Sequence, residues 1–143
     1  MSDTNRQRII NEYIQKDPFA ARLGAKVEII EPGHSRVSLT VTEEMTNFHG
    51  TTHGGVVFAV SDLAFAAASN SHGQVAVALT VGMTFLKTSK AGDHLVAEAK
   101  EEFVGGRTAL YDITVRDERT GELVAKSQDL VYRKNEWFVG KGE

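Results

Sequence analysis

From His34 to Thr42 the chain alternates: Val37, Leu39 and Val41 are apolar, while Ser38, Thr40 and Thr42 are polar. A period of two predicts a strand with one buried face. The same period recurs downstream. Over 75–86 it sets Val75, Val77, Leu79, Val81, Met83 and Phe85 on one face. The small Ala76, Ala78 and Gly82 occupy the other, where a helix can pack closely. Further strands are predicted at 93–104, at 107–116 with Ala109, Tyr111, Ile113 and Val115 in phase, and at 122–133. The links between them are short: a loop at 88–92, Gly105-Gly106, and a turn at 118–121. Links of hairpin length imply an antiparallel sheet.

Ahead of these strands the period changes. Ile9, Ile10, Tyr13 and Ile14 make one apolar stripe of a helix over 3–16, which Asp3 or Thr4 can cap. Asp17-Pro18 ends it, because proline disfavours helix in the residue before it. A short turn or helix at 19–23 closes at Gly24, a strand follows at 25–30, and Pro32-Gly33 turns the chain. After a polar loop at 43–53, residues 54–70 are rich in Ala, Val and Phe and apolar nearly all round. That pattern predicts a buried helix rather than a surface one. It is shorter than the ~18 apolar residues of a membrane span, and Ser71-His72-Gly73 stops it. The tail, 134–143, is expected to be loose, with Trp137-Phe138 available to dock. The expected class is α+β, one domain over 1–143 with a curved antiparallel sheet wrapped around one long central helix.

Composition narrows the chemistry. Sixteen basic residues against 19 acidic ones give a formal charge of −3, with no basic stripe, so neither nucleic acid nor a membrane surface is an expected partner. The absence of cysteine excludes disulfides, thiolate zinc sites and a cysteine nucleophile, and fits a reducing cytoplasm. The N-terminal segment is too polar for a signal peptide. His49 and His53 are four apart, but in a Gly/Thr loop rather than on a helix face, and no H-E-x-x-H occurs. No metal or cofactor is expected. His49 and His72 read as loop or capping residues, Asn70 as a helix C-terminal residue, and Phe48, Phe58 and Phe65 as core more readily than as lining of a ligand pocket.

One carboxylate, Asp62, sits inside the apolar helix. A buried, unpaired carboxylate is costly, so Asp62 faces a polar seam or a subunit boundary, or it works. Gly54-Gly55 opens the same helix. Those glycines either turn the loop into the helix, or let a substrate approach free first-turn N–H groups that can hold a developing oxyanion. Asp62 follows Gly54 by eight residues, just over two turns at about 3.6 residues per turn, so both can border one cleft. No G-x-S-x-G is present. A carboxylate with an oxyanion site suffices for an activated acyl group such as a thioester.

These residues resemble a known family. Asn47-Phe48-His49-Gly50-Thr51-Thr52-His53-Gly54-Gly55, followed by Asp62, is similar to the signature of hotdog-fold thioesterases, in particular the phenylacetate-degradation (PaaI-type) branch. The similarity continues through Asn70, Gly73, Thr84-Phe85-Leu86-Lys87, Ala91-Gly92-Asp93 and Gly106-Arg107-Thr108, covering about residues 17–133. The resemblance implies an acyl-CoA thioesterase. Gly54, with Gly55, would offer backbone N–H to the thioester carbonyl. Asp62 would be base or nucleophile, Asn47 would place water or thioester, and His53 would orient Asn47 or sit near the leaving sulfur. Lys87 and Arg107, otherwise ordinary surface charges, would meet the phosphates of coenzyme A. The site would lie between subunits, Asp62 facing a partner's Gly54 loop, in a dimer of dimers. Two departures stand out. Some relatives carry serine near Ala78, a role that Thr80 could fill, and many carry proline where this chain has Thr88. The resemblance also leaves room for a hotdog dehydratase or hydratase, or for a non-catalytic acyl-CoA binding protein.

Overall fold

The computed structural model describes residues 1–140. Two short helices, α1 (Asp3–Ile14) and α2 (Pro18–Leu23), precede strands β1 (Lys26–Glu31) and β2 (His34–Thr40). A single 3-10 turn (Glu43–Met45) leads to the long helix α3 (Gly54–Asn70). Four strands follow: β3 (Gln74–Phe85), β4 (His94–Val104), β5 (Thr108–Asp117) and β6 (Leu123–Trp137). All six strands form one antiparallel sheet in the order β1-β2-β4-β5-β6-β3.

Helix α3 touches every strand of that sheet. Six strands spaced ~4.8 Å apart span ~24 Å, about twice the width of a helix with its side chains, so the sheet has to curve around α3. The buried faces of α3 and the sheet supply the core: Val57, Val60, Ala64, Phe65 and Ala68 meet Leu95, Ala97 and Ala99 of β4 and Ala109, Tyr111, Ile113 and Val115 of β5. The alanines of β4 let the helix approach closely. Ser35 on β2 donates to the Ala64 carbonyl at 2.5 Å, tying sheet to helix where both are dry.

Three expectations change. Ser2, not Asp3 or Thr4, caps α1: its hydroxyl accepts from the Asn5 N–H at 3.2 Å. The tail is not loose as far as it is described. Residues 134–137 extend β6, because β3 starts at Gln74 and presents ladder partners as far as Trp137. Phe138 then stacks on Tyr13, with ring centroids 4.4 Å apart. Residues 141–143 of the predicted tail lie outside the described residues. The third change concerns β3. Its pairing with β6 slips between Ala78 and Thr80, leaving Leu79 as an extra residue. A bulge of this kind reverses the alternation. Ala78 lies opposite buried Val131, but beyond the bulge Val81, Met83 and Phe85 lie opposite Asp129, Ser127 and Ala125, on the helix side. Val77 and Leu79 are left exposed on a strand with only one neighbour.

Phe65 is fully buried and meets Tyr111 edge-on, ring centroids 5.7 Å apart. Phe65→Ala should therefore lower unfolding free energy by about 3–5 kcal/mol, measured by urea denaturation.

Candidate active site

The loop before α3 is built around Asn47. Its side-chain oxygen accepts from the backbone N–H groups of His49 (2.9 Å) and Thr51 (3.2 Å), and its amide donates to the Thr51 hydroxyl at 3.0 Å. Thr46 and Thr52 bridge across the base of the loop. Buried Ser89 then bonds Thr52, hydroxyl to hydroxyl, at 2.7 Å, and so fixes the loop to the β3–β4 link. Asn47 thus shapes the loop and leaves one amide hydrogen uncommitted.

His53 caps α3. Its Nδ1 accepts from the Gly55 N–H at 2.8 Å. That bond has two consequences. In the neutral ring the proton then sits on Nε2, which is left as a donor. Moreover, the Gly55 N–H is occupied, so of the two glycines Gly54 carries the open first-turn donor. Phe85 lies against Gly54: a Cβ there would sit 3.7 Å from its ring. Asn47, Gly54, Phe85 and Lys87 line one groove at this end of the molecule. His53 bonds Gly55, and no bond joins it to Asn47.

Asp62 lies half-buried on α3, about 12 Å along the axis from Gly54 at ~1.5 Å per residue. Burial pushes its carboxyl above the usual range, and the charge of Asp17 adds to the effect. Asp17 itself caps α2, accepting from Phe19 at 2.9 Å and Ala20 at 3.1 Å. One chain therefore does not bring Asp62 and the Gly54 N–H into contact.

The other expected residues are scattered. Lys87 pairs with Glu122 at the Gly54 end of the sheet. Arg107 stands at the opposite end: Lys87 bonds Val124 and Arg107 bonds Arg133, nine residues apart on β6, or ~30 Å. Thr80 lies opposite Leu130 on β6, so the register puts it on the sheet face away from α3. Asn70 staples the end of α3 to β3, exchanging bonds of 3.0 and 3.2 Å with the Ala76 backbone. His72 reaches Glu101 at 2.8 Å. Of the three phenylalanines, only Phe65 is core. Phe48 is 94% exposed at the loop tip, and Phe58 is also exposed.

The pattern of the last strand conceals a second carboxylate. Asp129 on β6 is 1% exposed and faces α3. Ser127 donates to its Oδ1, while Oδ2 has no partner among the described residues. Burial raises its carboxyl to about 6; the Ser127 bond opposes this, and the charge of Asp62 adds to it. Hairpin register alone misses this residue. The turn at 118–121 pairs Arg116 with Leu123, which carried along the strands would set Tyr111 opposite Gln128; the irregularity between Val115 and Arg116 shifts the pairing by one and brings Asp129 there instead.

Because the fold raises the Asp129 pKa, it favours the protonated form. That contribution is complete below about pH 4 and lost as pH rises through about 6. Asp129→Asn cannot ionise. It should match wild type in urea denaturation at pH 4 and exceed it by about 1–3 kcal/mol at pH 8. An equal gain at both pH values would contradict this assignment.

Known proteins resemble the chain in sequence and in fold. Residues 49–124, more than half the chain, match the profile of the Thioesterase superfamily. Over 101 residues the chain is 40% identical to the acyl-coenzyme A thioesterase PaaI of Escherichia coli K12, covering 71% of this chain and 72% of that one. The solved E. coli PaaI protein of the phenylacetic acid degradation operon superposes with a TM-score of 0.88 at 32% identity, over 95% of this chain and 99% of that one. A Streptococcus mutans protein solved with acetyl CoA bound gives a TM-score of 0.74 at 28% identity, over 79% of this chain and 90% of that one. On the extent of these matches the chain belongs to the thioesterase superfamily, as a hotdog-fold thioester hydrolase of the PaaI type.

Proposed function

We propose that the chain hydrolyses acyl-CoA thioesters to free acid and CoA, with phenylacetyl-CoA and its ring-hydroxylated relatives as the preferred class and medium-chain acyl-CoA next. One observation carries this reading. The helix that opens with the uncommitted Gly54 N–H also presents, two turns on, a carboxylate held partly out of water. The positive end of the helix dipole and the Gly54 N–H polarise the thioester carbonyl and take up the charge of the tetrahedral intermediate. Asp62 accepts the proton of an attacking water, or attacks directly to form a mixed anhydride that water then opens. The Nε2–H of His53 supplies a donor for the departing sulfur.

Gly54 and Asp62 of one chain are too far apart to act on one carbonyl. We place the reaction between two chains, joined through the open β3 edge, with Asp62 of one facing the Gly54 loop of the other; two such dimers form a tetramer. Exposed Val77, Leu79, Phe85 and Leu86 along that edge support this arrangement, since a long apolar edge strand invites pairing. The same arrangement lets Lys87 and Arg107 of different chains share one CoA, which a single chain forbids.

The acyl group is assigned to a groove of ≈ 490 Å³ beside α3, lined by Tyr13, Ile14, Leu63, Ala66, Ala67 and Asn70. Ala66 is one turn beyond Asp62, so a reacting carbonyl at Asp62 directs its acyl end there. The apolar walls suit an aryl ring. Acetyl CoA in the S. mutans relative supports the CoA half of the substrate.

Asp62→Asn should keep the fold and lose thiol release from aryl acyl-CoA by ~10²–10⁴-fold. Undiminished turnover in the correctly assembled variant would overturn the assignment. Leu79→Lys should shift the protein towards monomer in analytical ultracentrifugation and lose activity in proportion. A monomeric variant with full activity would refute the shared site.

A further inference from the structure

Two buried groups near Asp62 have no polar partner among the described residues, and hydrolysis as described above uses neither. They are the Ser61 hydroxyl on α3 and the carboxylate of Asp129, through its Oδ2. Their placement follows from two anchors. At one end of α3, Gly54 lies against Phe85; at the other, Asn70 is bonded to Ala76. Helix α3 therefore runs antiparallel to β3. Eight residues of helix advance ~12 Å, the length of three to four strand residues, which brings Asp62 level with Val81 and Gly82. Val81 lies opposite Asp129 on β6. The two carboxylates thus stand at one height along α3, Asp129 in the layer between helix and sheet and Asp62 at its margin, where the Asp62 charge still reaches Asp129.

Among the described residues, nothing around Asp129 neutralises it. From β6 it receives the Ser127 hydroxyl. From β5 it faces Tyr111, whose phenol donates to Glu101 of β4 at 2.8 Å and, pushed up by burial and that bond, keeps its proton there. Glu101 is already shared with His72. From β3 come only Val81 and Met83. From α3 come Ser61 and Asp62. Across the groove Asp62 meets Asp17, with Lys16 beside it. Arg133, further along β6, is committed to the Gly105 carbonyl at 3.3 Å. A dry carboxylate with a free oxygen, no cation and a second carboxylate as its nearest charge is costly as a mere core residue.

We propose that Asp129 is a positioning residue for the hydrolysis: it acts through Asp62, the two carboxylates forming one coupled acid–base pair across the contact between α3 and β6. This rests on the thioesterase reading of Asp62. Two like charges in a dry layer do not ionise independently, so the pair keeps one proton over a pH range in which separate carboxylates would have lost both. With that proton present, Asp62 is a weak base. Once it has left, the Asp129 charge raises the affinity of Asp62 for the proton of the attacking water. That proton moves from water to Asp62 and then to the CoA thiolate, which leaves as thiol; Asp129 gains and loses no atom in the cycle. Ser127 holds Asp129 in place, and its bond favours the ionised form.

The test combines the pH profile of kcat/KM with carboxyl 13C NMR titration of Asp62 in the full chain, for wild type and Asp129→Asn. In wild type the acid limb should fall near pH 6, and the Asp62 signal should register two steps. In Asp129→Asn the limb should move down by about one pH unit, the plateau kcat should fall severalfold, and Asp62 should titrate in one step. Ser127→Ala, a milder change, should raise the Asp129 affinity for its proton and move the upper step of the pair upward. An Asp62 titration that is the same in wild type and both variants overturns the proposal. A wild type that releases no thiol fails the thioesterase reading instead, and the NMR comparison still decides whether the carboxylates are coupled.

Discussion

Helix α3 has apolar side chains on nearly every side, and removing that surface from water is the demand the rest of the fold meets. Covering a helix on one face takes a flat sheet; covering it further takes a sheet that bends. Strand order follows from the same demand. The four central strands, β2, β4, β5 and β6, put alternating small and branched residues against the helix, and β1 and β3 close the sides. The bulge at Leu79 belongs to this solution, since it lets β3 bring Val81 and Met83 back onto α3 as the edge curls. What the bend does not cover is the flank carrying Asp62 and Ala66.

That enclosure sets the chemistry. A carboxylate on a surface helix would titrate as an ordinary one and make a poor base near neutrality. On α3 it loses part of its hydration to the fold and gains the repulsion of Asp17. In the proposed site the glycine donor at the start of the helix would work by the converse effect. It lies exposed before substrate arrives, and a ligand covering it meets an N–H with no internal partner to displace. The His53 bond to Gly55 sharpens this difference between two adjacent glycines that look equivalent in the sequence.

The period-two and all-apolar patterns made most of the fold legible. Helix α3 was expected from Gly54 to about Asn70 and is found there, and the inward face of β5 was read correctly as Ala109, Tyr111, Ile113 and Val115. Failures came where both registers of a strand look alike. In β3 both faces carry apolar residues, so nothing in the pattern marks the bulge. In β6 the polar alternation Ser127–Gln128–Asp129 reads as solvent-facing whichever way it is turned, and only pairing with Tyr111 settles it. The site was legible in its motif more than in its geometry. Asn47, His53, Gly54 and Asp62 lie on one loop–helix unit as expected, yet which N–H is free and which amide is committed are tertiary facts. Lys87 and Arg107 are linked by no local pattern, and ~30 Å of strand separates them.

The same sheet gives the molecule two kinds of incompleteness. Its outer edge leaves the backbone of β3 with a partner on one side only, beside exposed Val77 and Leu79. Its inner layer leaves Asp129 Oδ2 and Ser61 Oγ without partners among the described residues. The edge can be completed by a second chain at little cost, since that chain adds hydrogen bonds and apolar contact together. The inner layer cannot, because the groups lie behind the strand. Assembly would therefore dry the Asp62 flank further while leaving the buried carboxylate unneutralised. In the proposed dimer both changes would act on Asp62 in the same direction, towards a stronger base beside a helix N-terminus that the partner would supply.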